Sequence, residues 1–284
     1  MADRALELLL EQRVTREPSQ PVSQLTVDGW IAIFGSRFPA DDVGVVHPIM
    51  ATTFSRSPLP PAPGESAATG VVLHDQLKQL LDLPVAIAIG YELELLGSLH
   101  LGDQLVSVER IADVGPERST RFGPGRDWII EVATSALDGS AICIEQFRMM
   151  GYRPGERSGG STALHSQPPV FEWTEEVSID ADLIIGWASA HRVWAAAHHD
   201  SEVARDVGLP DIILDTSSQV SLLAGAAHQH RPHQTLQRVQ LEMKRPILPG
   251  ATVLVGGVES GASSTVSAMV DSREASRAII TFTS

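Results

Sequence analysis

Residues 184–221, IIGWASAHRVWAAAHHDSEVARDVGLPDIILDTSSQVS, form the stretch that decides the fold of this chain. Apolar residues with helical spacing open it and include Trp187 and Trp194, which are seven residues apart and share one face of a continuous helix. A cluster of two histidines and an aspartate begins at His198, and the chain then breaks at a glycine and a proline. A helix rich in alanine and leucine begins at Thr216. The pattern predicts a buried helix preceded by a polar segment that carries histidines.

The composition is that of a soluble globular protein, with 43% hydrophobic and 20% charged residues among 284. A chain of this length forms one large domain or two of about 140 residues. No window approaches the ~18 consecutive apolar residues of a membrane span, and the first residues lack the features of a signal peptide, so we expect a cytoplasmic protein. The formal net charge of −14 opposes broad attraction to nucleic acid or to an anionic membrane surface.

Neither cysteine nor histidine spacing predicts a metal site or a redox site. The single cysteine, Cys143, lies in an alternating apolar run, which favours a buried and inert thiol. The segment 227–234, AHQHRPHQ, holds three histidines at irregular spacing and without a neighbouring carboxylate. We therefore expect no bound metal there.

A linker divides the chain. Gly, Ser and Pro dominate residues 155–168, which separate an N-terminal half, 1–154, from a C-terminal half, 169–284. Inside the N-terminal half, HPIMATTF (47–54) is predicted to be a strand. The next segment, SRSPLPPAPGES (55–66), is predicted to be a loop or lid, because proline cannot donate to a regular ladder of backbone hydrogen bonds.

The two halves share an order of elements. A helix near 26–35 precedes long alternating strands in 85–152, and helices in 181–226 precede strands in 234–283. Gly102 and Gly250, which each open an alternating strand, stand 148 residues apart. Such a duplication predicts two antiparallel sheets, each around helices, that cover each other's exposed edges.

The step from His198 to Asp200, followed by Ala204, Gly208 and an Ile-Ile-Leu run, resembles the hydratase segment of the MaoC-like dehydratases. The N-terminal half, with its HPIM, GYELE and LHLGDQL segments, is similar to the FAS1-type dehydratase-like half that is usually fused ahead of such a segment. The resemblance implies an α+β double-hotdog fold, in which two central helices are each wrapped by an antiparallel sheet. It also implies a homodimer or a hetero-oligomer with another hotdog protein.

The resemblance implies a reaction as well. Members of this family add water to, or remove it from, the α–β bond of an acyl chain held as a thioester of CoA or of a carrier protein. Removing a proton next to a thioester carbonyl needs a base that works near neutrality, and imidazole meets this need. The enolate oxygen that results is stabilised by backbone N–H groups at a helix N-terminus. CoA or phosphopantetheine would arrive as part of the substrate, so no separate cofactor is expected.

His198 takes the position of the family's catalytic histidine, and Asp200 that of a carboxylate that caps the next short helix. The family has an Asp five residues before this histidine and an Asn-Pro between them, where this chain has Val193 and two alanines. A hydrocarbon neither orients water nor moves a proton. His191 and Asp215 are the candidates to supply the missing polar group; for Asp215 the alternative is that it caps the following helix.

Candidate substrate-binding residues lie on both sides of the histidine cluster. Two tryptophans either pack in the core or line a pocket for a bulky acyl group, and one serine takes the position where the family uses a glycine N–H for the oxyanion. A basic pair at a strand end is the best local patch for the phosphates of CoA or of a carrier-protein arm, with a merely solvated strand end as the alternative. The set is Trp187, Val193, Trp194, Ser217, Ser221, Lys244 and Arg245.

Two further interpretations stay open. The change to Val193 is compatible with a catalytically silent hotdog subunit that binds an acyl thioester or supports an active partner. A pathway-specific elimination or cyclisation, of polyketide or steroid type, would use the same pocket for different chemistry.

Overall fold

A computed structural model of the protein describes residues 2–34, 38, 45–60, 71–120, 122–154 and 169–283. The predicted linker and the end of the predicted proline-rich loop, residues 61–66, lie outside the described residues. Within the described ranges, no helix has the length and apolar character needed to cross a membrane.

Helices precede long strands in both halves, as the repeat predicts. The helices are α1 (Ala2–Glu11), α2 (Gln24–Phe34), α3 (Ala51–Phe54), α4 (Val72–Leu80), α5 (Ala181–Ala190), α6 (Ser201–Asp206) and α7 (Thr216–His230). The strands are β1 (Val14–Thr15), β2 (Val45–Val46), β3 (Val85–Leu95), β4 (Leu99–His100), β5 (Leu105–Val114), β6 (Arg118–Thr120), β7 (Gly123–Ala136), β8 (Ala141–Tyr152), β9 (Trp173–Ile179), β10 (Thr235–Met243), β11 (Ala251–Ser260), β12 (Ser263–Val270) and β13 (Arg273–Thr283).

One antiparallel sheet runs through both halves. Its strand order is β1-β5-β7-β8-β3-β10-β13-β12-β11-β9, so the second half repeats the first in reverse, and β3 pairs with β10 across the middle. Gly102 and Gly250 precede the equivalent strands β5 and β11, and both have positive φ, +92° and +84°, which glycine adopts without steric cost. The predicted duplication is confirmed. The open edge of β3 in the N-terminal half and the open edge of β10 in the C-terminal half pair with each other.

A helix is wrapped by the sheet in each half. In the C-terminal half it is α7, with 12 of its 15 residues buried. In the N-terminal half it is the shorter α4, which packs with α1 against β5 through an apolar cluster around Leu73, Leu77 and Trp128. Helix α2 packs instead against α5, between the halves. The predicted α+β class, with a central helix in each half, is confirmed.

The prediction of a strand at 47–54 is wrong. The segment forms a 3-10 turn, Pro48–Met50, that runs into α3. Proline fixes the φ of the first turn residue, and the His47 Nδ1 accepts a 3.3 Å hydrogen bond from the Ile49 amide, which caps the turn. The sequence was misleading here because residues on every side of the segment are buried between the halves, Ile49 to Phe54 each below 5% exposed. This turn brings Thr53 and Arg56 against the C-terminal half.

Candidate active site at the start of helix α7

Helix α7 begins at a buried carboxylate. Asp215 is 2% exposed and accepts hydrogen bonds from the amide of Ser218, at 3.0 Å, and from the Ser218 hydroxyl. The first amide bonded within the helix belongs to Gln219, which donates to the Asp215 carbonyl. Among the described residues, the amides of Thr216 and Ser217 have no protein acceptor. These two N–H groups are positive partial charges at the helix end, suited to a developing oxyanion.

His198 lies beside this helix end. Its Nδ1 is 2.9 Å from the carbonyl oxygen of Ile213. Because a carbonyl can only accept, Nδ1 carries the proton and the neutral ring keeps its lone pair on Nε2. The residue is half-buried. The contact with Ile213 therefore fixes the tautomer of His198 beside the start of α7.

Asp215 is held as a carboxylate by this arrangement. Its burial favours the neutral acid, but attraction to His198 and His191 when these rings are protonated and the hydrogen bonds from Ser218 outweigh burial and lower its pKa. The predicted cap is confirmed, and the same carboxylate lies within electrostatic reach of both histidines. A cap and a catalytic support are thus compatible roles for one side chain.

His191 is placed behind the site rather than in it. The residue is 2% exposed, its Nδ1 lies 3.2 Å from the Thr53 hydroxyl, and its Nε2 lies 3.0 Å from the Ser221 hydroxyl. The ring also packs 4.5 Å from the ring of Phe34. Burial lowers the pKa of His191 to about 4, so the ring is neutral at pH 7. It links the two halves and touches no open surface.

The two candidate serines lie at different depths in α7, and the expected role of Ser221 needs correction. Ser221 is the sixth residue of α7, so its amide belongs to the part of the helix whose N–H groups are bonded internally, and it cannot serve an oxyanion. Its hydroxyl contacts His191 instead. Ser217, the second residue of the helix, does lie at the helix end, and its hydroxyl accepts a 3.0 Å hydrogen bond from Arg56.

The two tryptophans do not share a helix face. Helix α5 ends at Ala190, and Arg192 has a φ of +54°, which turns the chain before Trp194 is reached. Trp187 packs in the core, 9% exposed, against Phe34. Trp194 instead donates its indole N–H to the carbonyl oxygen of Ser57, at 3.0 Å. The sequence pattern could not reveal the positive φ that ends the helix.

The segment between α5 and α6 is fixed by its backbone. The Val193 amide donates to the carbonyl of Ala188 at 2.8 Å, and its carbonyl accepts from His199 Nε2 at 2.7 Å. His199 is thereby committed to the loop. The predicted cap of α6 is confirmed, because the Asp200 carboxylate accepts from the amides of the next helix. Val193 itself presents hydrocarbon, half-buried, beside these polar groups.

The basic strand end lies near the helix start. The Leu214 amide donates to the Ile247 carbonyl at 3.0 Å, which holds the loop after β10 against the residues before α7. Lys244 is paired with Glu274. Arg245 is exposed, and its side chain has no protein partner among the described residues. Of the predicted patch, Arg245 is the residue best able to meet a phosphate.

Four residues of the site were missed at the level of sequence: Thr53, Arg56, Tyr91 and Glu145. Arg56 donates from Nη1 to the His191 carbonyl (3.2 Å) and to Ser217, and from Nη2 to Glu145 (3.1 Å). The Tyr91 hydroxyl donates to the same Glu145 oxygen at 2.8 Å. One signal was present, since Glu145 is a charged residue on the inward-facing alternation of its strand.

The described residues supply neither a cluster of metal ligands nor an exposed thiol. Within the part of the chain that the structure describes, no group of three or more His, Cys, Asp and Glu side chains is arranged to hold a metal ion. Cys143 is buried, as predicted, and burial raises the pKa of its thiol. The chemistry available at α7 is that of imidazole, carboxylate, guanidinium and backbone amides.

Comparison with known proteins places the fold. No model of a protein family and no curated protein matches the sequence. By structure the chain is similar to a MaoC-like dehydratase, with a TM-score of 0.72 and 13% identity, over 98% of this chain and 100% of the other. It is also similar to a conserved hypothetical protein from Mycobacterium tuberculosis described as having a double hotdog fold (TM-score 0.57, 17% identity, 96% and 95% covered). A third similar structure is a putative oleoyl thioesterase from Lactobacillus plantarum (TM-score 0.56, 10% identity, 96% of each chain covered). The chain therefore has the double-hotdog fold, in the arrangement that a MaoC-like dehydratase also adopts.

Proposed function

We propose that the protein binds an acyl thioester at the start of α7 and adds water to, or removes it from, its α–β bond, with His198 as the acid and base. The observation that carries this proposal is the fixed tautomer of His198, whose Nδ1–H is bonded to Ile213 beside a helix end where the amides of Thr216 and Ser217 have no acceptor among the described residues. A base and an oxyanion site next to each other are what the chemistry requires.

A single base, His198, carries out both proton transfers of the proposed reaction. In hydration, Nε2 of His198 takes a proton from water while the water oxygen bonds to the β-carbon. The π electrons of the α–β bond move onto the thioester oxygen, which becomes an enolate. The imidazolium then returns its proton to the α-carbon, and the carbonyl re-forms. Dehydration runs the same path backwards, so His198 removes the α-proton and delivers it to the departing hydroxyl.

Asp215 supports this cycle without taking a proton. Its pKa is lowered, so it remains a carboxylate, and it attracts the positive charge that His198 gains in the step. Thr216 and Ser217 offer their amides to the enolate oxygen. Arg245 and Lys244 are proposed to meet the phosphates of CoA or of a carrier-protein arm, and binding in a homodimer or hetero-oligomer stays a prediction.

The rival function is a silent subunit that binds the thioester and does no chemistry. Val193 favours it, because the site has no carboxylate at that position to hold the water. Hydrolysis of the thioester is a further outcome to be measured, since a putative thioesterase shares the fold. Both rivals differ from the proposal in their products, and so they are separable in a single assay.

The test follows purified protein with crotonyl-CoA and with a longer enoyl-CoA, by loss of the conjugated thioester absorbance and, in parallel, by release of free thiol. We expect hydration without thiol release. His198→Asn keeps a donor for Ile213 but removes the base, and should lower kcat by about 10²–10⁴-fold. The matched control is His100→Gln, at an exposed histidine 54% accessible and distant in sequence from the site. Binding without turnover would establish the silent subunit, and a loss below tenfold in His198→Asn would refute the role of His198.

A further inference from the structure

The internal duplication allows the two halves to be compared residue by residue. Strand β3 has a bulge between Ala88 and Gly90, and β10 has one between Leu236 and Arg238. The bulges stand 148 residues apart, the same spacing as Gly102 and Gly250. Two independent markers thus give one alignment of the halves.

Under this alignment the N-terminal half is polar where the C-terminal half is apolar. Tyr91 corresponds to Val239, and the strand partners of the equivalent leucines, Leu93 and Leu241, are Glu145 and Ala278. Val239 and Ala278 are fully buried. The copy therefore demonstrates that this architecture accepts hydrocarbon at both places.

The polar residues form a support for one guanidinium. The carboxylate of Glu145, 2% exposed, bonds Arg56 and accepts from the Tyr91 hydroxyl. Burial and the charge of Glu145 raise the pKa of Tyr91 well above its ordinary value, so the phenol stays a donor. A buried ion pair is often no more stabilising than hydrocarbon of similar volume. Stability alone does not explain why this half keeps one.

A second set of contacts aims the guanidinium. Arg192 donates from Nη1 to the carbonyl of Arg56 at 3.1 Å, while Arg56 donates to the carbonyl of His191, so each arginine holds the backbone beside the other. The left-handed backbone of Arg192 is unusual for a residue with a side chain. Arg192 is a positioning residue in this arrangement. These two hydrogen bonds fix Arg56 to the C-terminal half at the start of α7.

Arg56 retains capacity to bind. Its side chain is 14% exposed, and three of the five guanidinium N–H groups are used by His191, Ser217 and Glu145. Among the described residues, the remaining two, on Nε and Nη2, have no protein partner. The Nη1 donation to the Ser217 hydroxyl, at 3.0 Å, places the guanidinium beside a residue whose amide has no acceptor among the described residues.

We infer that Arg56 is a catalytic residue, whose guanidinium joins the two amides of α7 in stabilising negative charge on the thioester oxygen. This inference rests on the proposed site at α7. The charge that accumulates on that oxygen in hydration, in dehydration or in any enolisation meets a cation held by Glu145 and Tyr91. A site that lacks a carboxylate at Val193 thereby depends more on its oxyanion stabilisation.

The probe is acetoacetyl-CoA, a 3-oxoacyl thioester whose bound enolate absorbs in the near ultraviolet. Losing a C2 proton places negative charge on oxygen, so the enolisation constant, measured against pH, reports oxyanion stabilisation without any turnover. We expect the wild-type protein to raise this constant and Arg56→Gln to lose at least tenfold of the increase. Arg56→Lys should keep part of it, Glu145→Gln should lose part, and His198→Asn should keep most.

Controls and outcomes separate this inference from the proposed function. Arg153→Gln is the matched control, at an arginine whose side chain is 39% exposed and paired with Asp82, and it should keep the wild-type constant. Thermal unfolding and binding affinity of each variant show that the site is intact. An unchanged constant in folded Arg56→Gln overturns the inference, as does hydration by a wild-type protein that does not promote enolisation. An enolate signal that depends on Arg56 without hydration supports the inference and refutes the proposed reaction. A wild-type protein that does not bind the probe refutes both.

Discussion

Replacement of Asp215 by alanine is predicted to destabilise the protein strongly, although one surface cap elsewhere should be nearly dispensable. Loss of a helix N-cap costs about 1 kcal/mol. The Ser218 hydroxyl and amide that Asp215 accepts from are fully buried and would be left without an acceptor, which costs about 1–3 kcal/mol more. The sum is a loss of about 2–4 kcal/mol in the free energy of unfolding.

The assay is urea and thermal unfolding of Asp215→Ala beside Asp180→Ala. Asp180 caps α5 with a single 2.7 Å bond to the Leu183 amide and is exposed, so water replaces the lost acceptor. Its loss should cost about 0.5–1 kcal/mol. Equal destabilisation by the two alanine variants would refute the claim that burial, and not capping alone, sets the cost.

The pH dependence gives a separate check on the charge of Asp215. Because its pKa is lowered in the folded protein, the ionised carboxylate contributes stability that is fully present above the ordinary pKa of 3.8 and is lost as pH falls through the folded pKa. Asp215→Asn removes this titration, so its deficit relative to wild type should shrink in acid. A deficit that stays constant down to about pH 2 would contradict the assigned charge.

Three further predictions concern packing, protonation and the missing carboxylate. Gly151→Ala should lower the free energy of unfolding, measured by thermal unfolding, by about 1–3 kcal/mol, since its new Cβ would stand 2.2 Å from the Trp128 ring. Gly186→Ala, which has open space around it in α5, should raise the free energy of unfolding by about 0.5–1 kcal/mol. Burial lowers the pKa of His74 to about 4, so the free energy of unfolding should fall as pH drops from 6.5 towards 4, and His74→Gln should flatten that slope in urea titrations. Val193→Asp should raise kcat for crotonyl-CoA at least tenfold if water positioning limits hydration, and Val193→Asn should gain less.

The order of elements could be predicted because it depends on local patterns. Alternation of apolar residues predicted the long strands. The pair Gly102 and Gly250 indicated the repeat, because each glycine occupies a position with positive φ that glycine adopts without steric cost. The segment 47–54 failed because burial from both halves erased the difference between a strand and a helix. The period of the apolar residues indicates which side of a segment is buried. When all sides are buried, the period no longer distinguishes a strand from a helix.

The site was predicted only where its residues are neighbours in sequence. His198, Asp200 and Asp215 lie within 18 residues; the caps formed by Asp200 and Asp215 are confirmed, and the role of His198 as a base stays a proposal. Arg56 and Glu145 are 89 residues apart, and Arg56 and Ser217 are 161 apart. Their meeting depends on the register of β3 against β8 and on the pairing of β3 with β10, which no short pattern in the sequence encodes.

Of the two central helices, α4 and α7, only α7 keeps N-terminal amides without a protein acceptor among the described residues. At the start of α4 the amides of Val72 and Leu73 are already occupied, at 3.0 and 2.6 Å, by the buried carboxylate of Glu109 on β5. The residue of β11 that stands 148 positions later is Gly257, which has no side chain to place at the start of α7. A thioester oxygen would therefore have to displace a carboxylate in one half, while in the other it would meet free amides and a guanidinium. Because the two halves share a strand order, under the proposed function it is this difference in side chains that favours α7, and it predicts one thioester bound per chain.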